Sequence, residues 1–389
     1  MLRIPFNRPA IVGNELANIA RAIQERHLAG DGGFTRKCQC LLENMHGAAK
    51  VLLTTSCTDA LEMAALLLDV RPGDEVIVPS FTFVSTANAF VLRGARVVFA
   101  DIRPDTLNMD EGLLERLIRR RTKAIVPVHY AGVACEMDAI REIAARHGLA
   151  IVEDNAHGLF GKYKGRSLGT LGALATLSFH ETKNITCGEG GALVINNTRY
   201  VERAEVIREK GTNRSRFCRG QVDKYTWVDV GSSYLPADIL AAFLYAQLES
   251  RERIQTRRRH IWEYYYRHLS GWAEDSGVKL PSVPPGCEHP YHMFYILAPT
   301  VDFRQCLMDH LKKNGIASAF HYLPLHLSAM GEGLGGKKGD CPVTEHVSDC
   351  LLRLPFFHGL TEEDQETVVR TIQTMPAKSH VAARVAAGA

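Results

Sequence analysis

KAIVPVHYAGVACEMDAIREIAARHGLAIVED, residues 123–154, decides the fold. The runs AIVPV and AIV are apolar on consecutive positions, so each strand is expected to be covered on both faces. Between them EMDAIREIAARHG reads as an amphipathic helix that stops at Gly148. Strand, helix and strand in that order make a crossover unit, and a crossover leaves its two strands parallel.

The pattern repeats toward the N-terminus. KVLLT (50–54) leads through the small polar turn TSCT into helical DALEMAALLL (59–68). The turn Arg71-Pro72-Gly73-Asp74 precedes EVIVPS (75–80), a helix containing STANAFVLR, ARVVFADI (95–102) and a helix around DEGLLERLIRR. Toward the C-terminus, ALATLSF (173–179) and GALVIN (191–196) are too close for a helical crossover and predict a hairpin-like excursion carrying HETKNITCGEG. The fold class is therefore α/β, a mostly parallel sheet with helices on each side. Helix resumes over 199–210. The aperiodic stretch 211–234 is too long for a routine connection, which points to function. A long helix is expected over 236–268, and after the Pro-rich turn at 281–286 a smaller β/α pattern runs to about 375. These shifts predict a large domain over 1–250, a small one over 251–375, and a frayed tail over 376–389 that lacks a strong apolar face.

Composition narrows the function classes. The 389 residues are 46% hydrophobic and 23% charged, an ordinary globular balance. With 46 Lys+Arg against 43 Asp+Glu the net charge is +3, so neither a nucleic-acid binder nor a membrane-surface binder is expected. No apolar run reaches the ~18 residues of a membrane span, and the N-terminus has no signal-peptide pattern. Ten cysteines without a C-x-x-C imply reduced thiols and a cytoplasmic location. His129, His157, His180, His321 and His326 lack a metal-binding helical spacing, so no metal is expected. No G-x-G-x-x-G follows the first strand, which removes a nicotinamide dehydrogenase.

Three residue groups remain. Lys183 lies on a Thr- and Asn-rich loop between two buried strands, where desolvation would favour its neutral form and suit it to a Schiff base. Asp154 ends its strand at the carboxyl edge, where open α/β sheets bind ligands. It fits a helix cap, a metal ligand, or the partner of a cationic ring nitrogen. Thr55-Ser56-Cys57-Thr58 joins a strand to a helix and offers an anion site, or a plain N-cap. Ser178 could add a hydroxyl, and Phe83 could stack on a ring or belong to the core. A lysine Schiff base with an aspartate–pyridinium pair is the pyridoxal 5'-phosphate constellation.

TSCTDALEMA, PSFTFVSTANAF, PVHYAGVACEMD, IVEDNAHG, LSFHETKN-x5-GGAL, FHYLPLH and RLPFF, in this order, resemble the DegT/StrS sugar-nucleotide aminotransferases over about residues 3–375. The resemblance implies the fold-type-I architecture, with a large domain on a mostly parallel seven-stranded sheet and a smaller C-terminal α/β domain. It also implies pyridoxal phosphate as cofactor. By position, Lys183 matches the Schiff-base lysine and catalytic base, Asp154 the pyridinium partner, and His157 a residue near the ring oxygen. Ser56, Cys57, Thr58 and Ser178 match the phosphate cradle, and Phe83 the stacking aromatic. Many relatives send an Asn from a G-x-N-x-R segment across a homodimer interface to the phosphate. Here it reads Gly231-Ser232-Ser233-Tyr234-Leu235, so Ser233 offers a weaker hydroxyl contact or none. Arg214, Arg219 and Lys224 are candidates for a nucleotide diphosphate. His321 and His326 are candidates for the substrate pocket. GDGGFTRKCQ (30–39), SCT and the 211–227 loop resemble most the enzymes that transfer an amino group from L-glutamate to C4 of dTDP-4-keto-6-deoxy-D-glucose. Related sugar dehydratases carry a histidine in place of the lysine, and the retained Lys183 argues against them.

Overall fold

The computed structural model describes residues 3–375; the expected frayed tail, 376–389, lies outside the described residues. Five strands come first, β1 (Lys50–Thr54), β2 (Glu75–Pro79), β3 (Arg96–Ala100), β4 (Thr122–Ile125) and β5 (Ala150–Asp154). The short β6 (Lys162–Tyr163) and β7 (Arg166–Ser167) follow, then β8 (Leu174–Ser178), β9 (Gly191–Ile195), β10 (Cys287–Glu288), β11 (Tyr295–Leu297) and β12 (Leu351–Arg353). The central sheet has seven strands in the order β1-β9-β8-β5-β4-β2-β3. Five neighbours from β8 to β3 run parallel, and β9 alone opposes its neighbours β8 and β1.

The doubly apolar runs explain the layers. Val76 and Val78 of β2 pack with Leu61, Met63 and Ala64 of the helix Cys57–Leu67. Ile77, one residue out of phase, packs with Ile140, Ile143 and Ala144 of the helix Met137–His147 on the opposite face. In β9, Leu193 and Ile195 face the first layer while Ala192 and Val194 join Leu244 and Leu248 of the helix Asp238–Glu249. Burying each Val, Ile or Leu is worth roughly 1.5–3 kcal/mol, and a one-residue slip of register would exchange the two layers.

The strand expected over 123–130 is regular only to Ile125; Pro127, without an N–H, interrupts the ladder, and pairing resumes at the bridge between Val128 and Asp154. The helix expected over 236–268 is two helices, Asp238–Glu249 and Arg251–Ser276, meeting at Ser250. β11 and β12 form an antiparallel pair backed by the helices Val301–Lys313 and Glu362–Gln373, with their own apolar cluster. Ile4, near the N-terminus, is fully buried in that C-terminal cluster and bridges to Ile316. Among the described residues no helix is long and apolar enough to cross a membrane, and all ten cysteines are free thiols.

Candidate active site

The carboxyl ends of β1, β5 and β8 open into a cavity of about 700 Å³ that the C-terminal unit closes from the other side. β1 hands over to the helix Cys57–Leu67 through Ser56, whose Oγ accepts the Asp59 N–H at 3.0 Å. The N–H groups of Cys57 and Thr58, at the first two helical positions, have no carbonyl of their own helix to bond. The Thr58 hydroxyl is held by Ser85 Oγ at 2.8 Å. This turn presses on β9 at Gly191, where a Cβ would lie 2.3 Å from the Ser56 carbonyl carbon and 2.4 Å from Cys57 N. Glycine is required there by close approach. Ser56, Cys57, Thr58 and Ser178 all line the cavity.

Lys183 lines it as well, on the loop between β8 and β9. Its backbone N–H bonds His180 O at 2.9 Å. The next residue, Asn184, is buried and pins the loop, with Nδ2 donating to Pro290 O at 2.7 Å and Oδ1 lying 2.8 Å from His292 Nδ1. Burial lowers the Lys183 ammonium to about 8, against the opposing pull of Cys57 and Asp154 and with help from Arg353. Burial likewise pushes the Cys57 thiol up to about 12, so it remains a neutral thiol.

Asp154 ends β5 and is buried at the cavity wall. Its Oδ2 accepts the Thr86 hydroxyl at 2.7 Å and its Oδ1 the Ala156 N–H at 3.2 Å. Thr86 in turn contacts Thr82 Oγ1 at 2.8 Å. Glu153, of opposite parity, points to the far side, where it accepts from His129 Nε2 and from the backbone N–H groups of Gly169, Leu171 and Gly172. Phe83, 57% exposed, stands at the rim.

His157 lies 4.3 Å from the His292 ring, centroid to centroid, in a 22° stack, and 6.0 Å from His321. Burial lowers all three imidazoles well below 6.5, and the nearby Lys183 and Arg353 charges add to it. They therefore stand as neutral rings at physiological pH. Tyr322 Oη is 3.4 Å from His157 Nε2, whereas His157 Nδ1 is buried without a partner. His321 also lines the cavity, its Nδ1 3.0 Å from the Tyr130 hydroxyl.

Other candidates lie elsewhere. His326 does not line the cavity; it is fully buried between Ser80 Oγ (2.6 Å) and Glu345 Oε1 (3.1 Å). The 3-10 turn Leu325–Leu327 after Pro324 rotates it away from His321 and ties the small unit to β2. Ser233 is exposed, and its backbone bridges Glu209 rather than reaching this chain's cavity. Arg219 is held by both oxygens of Glu205 at 3.0 and 2.8 Å, Arg214 lies 3.5 Å from Glu209, and Lys224 is exposed; none lines the cavity. Sequence reasoning missed Thr86, His292, Tyr322 and Arg353. Thr86 falls within PSFTFVSTANAF and Arg353 within RLPFF, so their motifs were visible while their direction was not. Among the described residues no group of three His, Cys, Asp or Glu is placed to hold a metal ion.

Residues 9–373 match the DegT/DnrJ/EryC1/StrS aminotransferase family. The chain belongs to that family. It is 33% identical over 378 residues to the uncharacterized protein MJ1066 of Methanocaldococcus jannaschii, covering 95% of this chain and 97% of the relative. The aminotransferase TlmJ of Streptoalloteichus hindustanus superposes with a TM-score of 0.87 at 30% identity, over 99% of this chain and 100% of TlmJ. The pyridoxal phosphate form of the putative sugar aminotransferase Spr1654 of Streptococcus pneumoniae gives 0.89 at 26%, over 97% and 99% of the two chains. This DegT/DnrJ/EryC1/StrS chain is thus a pyridoxal phosphate-dependent aminotransferase with a fold-type-I architecture.

The residues present fit that cofactor. The hydroxyl-lined helix start suits a phosphate, the buried Nδ1 of His157 lacks a partner, and an amine and a carboxylate share one cavity. Pyridoxal phosphate supplies an electron sink for charge left at an amino-acid α-carbon. Lys183 would hold it covalently and move a proton at that carbon. Asp154, oriented by Thr86, would keep the ring nitrogen protonated.

Proposed function

We propose that this aminotransferase takes the amino group of L-glutamate and delivers it to C4 of dTDP-4-keto-6-deoxy-D-glucose, giving a dTDP-4-amino-4,6-dideoxyhexose and 2-oxoglutarate. The observation that carries the reading is the placement of Lys183 and Asp154 on one cavity wall beside the Ser56–Thr58 turn. The likeness to GDGGFTRKCQ-bearing ketosugar transaminases supports the choice of acceptor, as does the sugar aminotransferase among the structural neighbours. In this reading Lys183 Nζ returns the proton to C4, and Phe83 at the rim stacks on the cofactor ring. Cys57, Thr58 and Ser178 hold the phosphate, His157 lies at the ring oxygen, and His321 bounds the sugar.

The working form in this proposal is a cytoplasmic homodimer. Ser233 and the basic segment with Arg214, Arg219 and Lys224 do not line this chain's own cavity; in this reading they serve a second copy's site. Residues 1–250 and 251–375 would act as large and small domains. Incubation of the holoenzyme with L-glutamate and dTDP-4-keto-6-deoxyglucose, with NMR of the product, tests the assignment. A 4-amino sugar is expected, and unchanged ketosugar under conditions where glutamate is consumed by another keto acid would refute the acceptor.

A further inference from the structure

A buried chain of hydrogen bonds lies behind the cavity wall. Ser80 follows β2 directly and is fully buried, as is His326. Ser80 Oγ lies 2.6 Å from His326 Nδ1 and accepts the His326 backbone N–H at 3.2 Å, while Ser80 O accepts the Leu325 N–H at 3.0 Å. On the far side of the ring, His326 Nε2 lies 3.1 Å from Oε1 of Glu345, on the helix Pro342–Cys350. The same Oε1 accepts the Gly339 N–H at 2.6 Å, and that bond, with help from His326, holds the Glu345 carboxyl below its ordinary value. An ionised carboxylate only accepts, so Nε2 carries the ring proton and Nδ1 accepts from the Ser80 hydroxyl. Phe99 of β3 stands against the ring, 6.3 Å between centroids. None of Ser80, His326 and Glu345 lines the cavity.

What this chain of bonds holds is the segment that closes the cavity from the C-terminal unit. Phe320, His321 and Tyr322 line the cavity, yet among the described residues no backbone hydrogen bond holds any of 320–323. The segment is strung between two anchors. At one end Ala319 pairs with Arg353 of β12 in both directions, at 2.7 and 3.2 Å; at the other Leu325 and His326 are fastened to Ser80. Ser80 in turn precedes Phe81, Thr82 and Phe83. One clamp therefore sets the spacing of two walls, Thr82 and Phe83 from the large sheet and His321 and Tyr322 from the C-terminal unit. Their rings meet across that seam, with Tyr322 5.6 Å from Phe81 and 6.4 Å from Phe83. A buried imidazole bonded at both nitrogens fixes distances that an apolar side chain of like volume would leave to packing. We propose that His326, through Ser80 and Glu345, is a positioning residue for the ketosugar acceptor: it spaces His321 and Tyr322 from Phe83 and so sets the width of the wall against which the sugar lies. This rests on the reading of the cavity as the site of transamination onto a nucleotide-linked ketosugar. Lys183, Asp154 and the Ser56–Thr58 turn lie at the ends of β1, β5 and β8, away from the clamp, so cofactor loading and the donor half-reaction should survive its loss.

The test compares holoenzyme carrying His326→Leu, His326→Asn or Ser80→Ala with the unsubstituted holoenzyme. Ile372→Val, a truncation in the C-terminal apolar cluster, serves as the control for lost stability. Ketosugar KM is expected to rise about 5- to 20-fold in His326→Leu, while kcat, the cofactor dissociation constant and the rate of cofactor conversion by L-glutamate hold within about threefold. In His326→Asn the Oδ1 stands in for Nδ1 as acceptor of the Ser80 hydroxyl, so part of the ketosugar affinity should return. Hydrogen exchange followed by mass spectrometry should quicken by about tenfold in peptides covering 319–327 of His326→Leu, and stay unchanged in peptides from β5 and β8. Ketosugar KM unchanged in His326→Leu and Ser80→Ala overturns the proposal. An equal loss of cofactor affinity and donor conversion overturns it too, as does the same KM rise in Ile372→Val. If the unsubstituted holoenzyme leaves the ketosugar unreacted, the acceptor reading fails instead. The clamp is then judged by exchange, with quickening confined to 319–327 supporting it and a uniform rise or none overturning it. Should His326→Leu not fold, a raised ketosugar KM in Ser80→Ala supports the proposal, and an unchanged one overturns it.

Discussion

Lys183→Met should stabilise the apoprotein at neutral pH while abolishing its chemistry. Burial holds the Lys183 ammonium at about 8 against an ordinary value of 10.5. A shift of that size corresponds to about 3 kcal/mol. The side chain keeps part of its exposure to the open cavity, and solvent screening reduces the figure to about 1–3 kcal/mol. The sign follows from linkage. Below pH 8 both folded and unfolded chains carry the proton, so the full cost of enclosing the charge is present. Between 8 and 10.5 the folded amine releases its proton first and stability rises with pH; above 10.5 the two states no longer differ. Urea unfolding of the apoprotein at pH 7 and pH 10.5 should therefore show a gain of about 1–3 kcal/mol for Lys183→Met at the lower pH, with most of it gone at the higher. The same shift leaves about one amine in ten neutral at pH 7, against about one in three thousand for an ordinary lysine. Asp154→Asn, which removes a charge that favours the ammonium, should move the midpoint of amine labelling below that of the natural sequence. A Lys183→Met apoprotein less stable than the natural one at pH 7, or a gain independent of pH, would refute the reasoning.

Two further outcomes concern the walls of the site. Glu153 is fully buried; burial alone would raise its carboxyl, but the His129 bond and the backbone N–H groups outweigh it and hold it below 4.5. Its contribution is present above the ordinary carboxylate range and is lost as pH falls through the depressed value. Glu153→Gln should cost about 2–4 kcal/mol at pH 7 by turning a donor toward donors, and thermal melts from pH 7 to pH 3 should show the gap to the natural protein narrowing on acidification. Gly191→Ala should weaken pyridoxal phosphate binding by about tenfold or more, since its Cβ collides with backbone at Ser56 and Cys57. Gly47→Ala, where the space is open and only the positive φ resists, should cost about 1 kcal/mol of stability and leave cofactor affinity unchanged in a fluorescence titration.

The sheet was legible because burial on both faces writes itself into consecutive apolar residues; EVIVP and AIV are both buried strands. The antiparallel β9 was legible from spacing, as eleven residues cannot hold a crossover helix. Strand ends were less so, since Pro127 interrupts a ladder inside an unbroken apolar run. The break at Ser250 left no mark because its flanks, LYAQLES and RERIQT, are both good helix formers. Within the cavity, residues on the large sheet were readable from position alone: Asp154 and Ser178 end their strands. Those from the C-terminal unit were not. Arg353 reads as a stray charge in LLRLP, and His321 and His326 look equivalent in FHYLPLH until Pro324 and the turn after it send one into the cavity and the other to Ser80. Which side chain meets a cavity built from segments more than a hundred residues apart depends on packing that local pattern does not encode.

The most direct measurement is to reduce the pyridoxal phosphate-loaded enzyme with borohydride and map the labelled peptide by mass spectrometry. A single phosphopyridoxyl group is expected on Lys183, in a tryptic peptide left uncleaved after that residue. Label on any other lysine, or a loaded enzyme that reduces without a covalent adduct, would contradict the assignment of Lys183 as the cofactor's anchor.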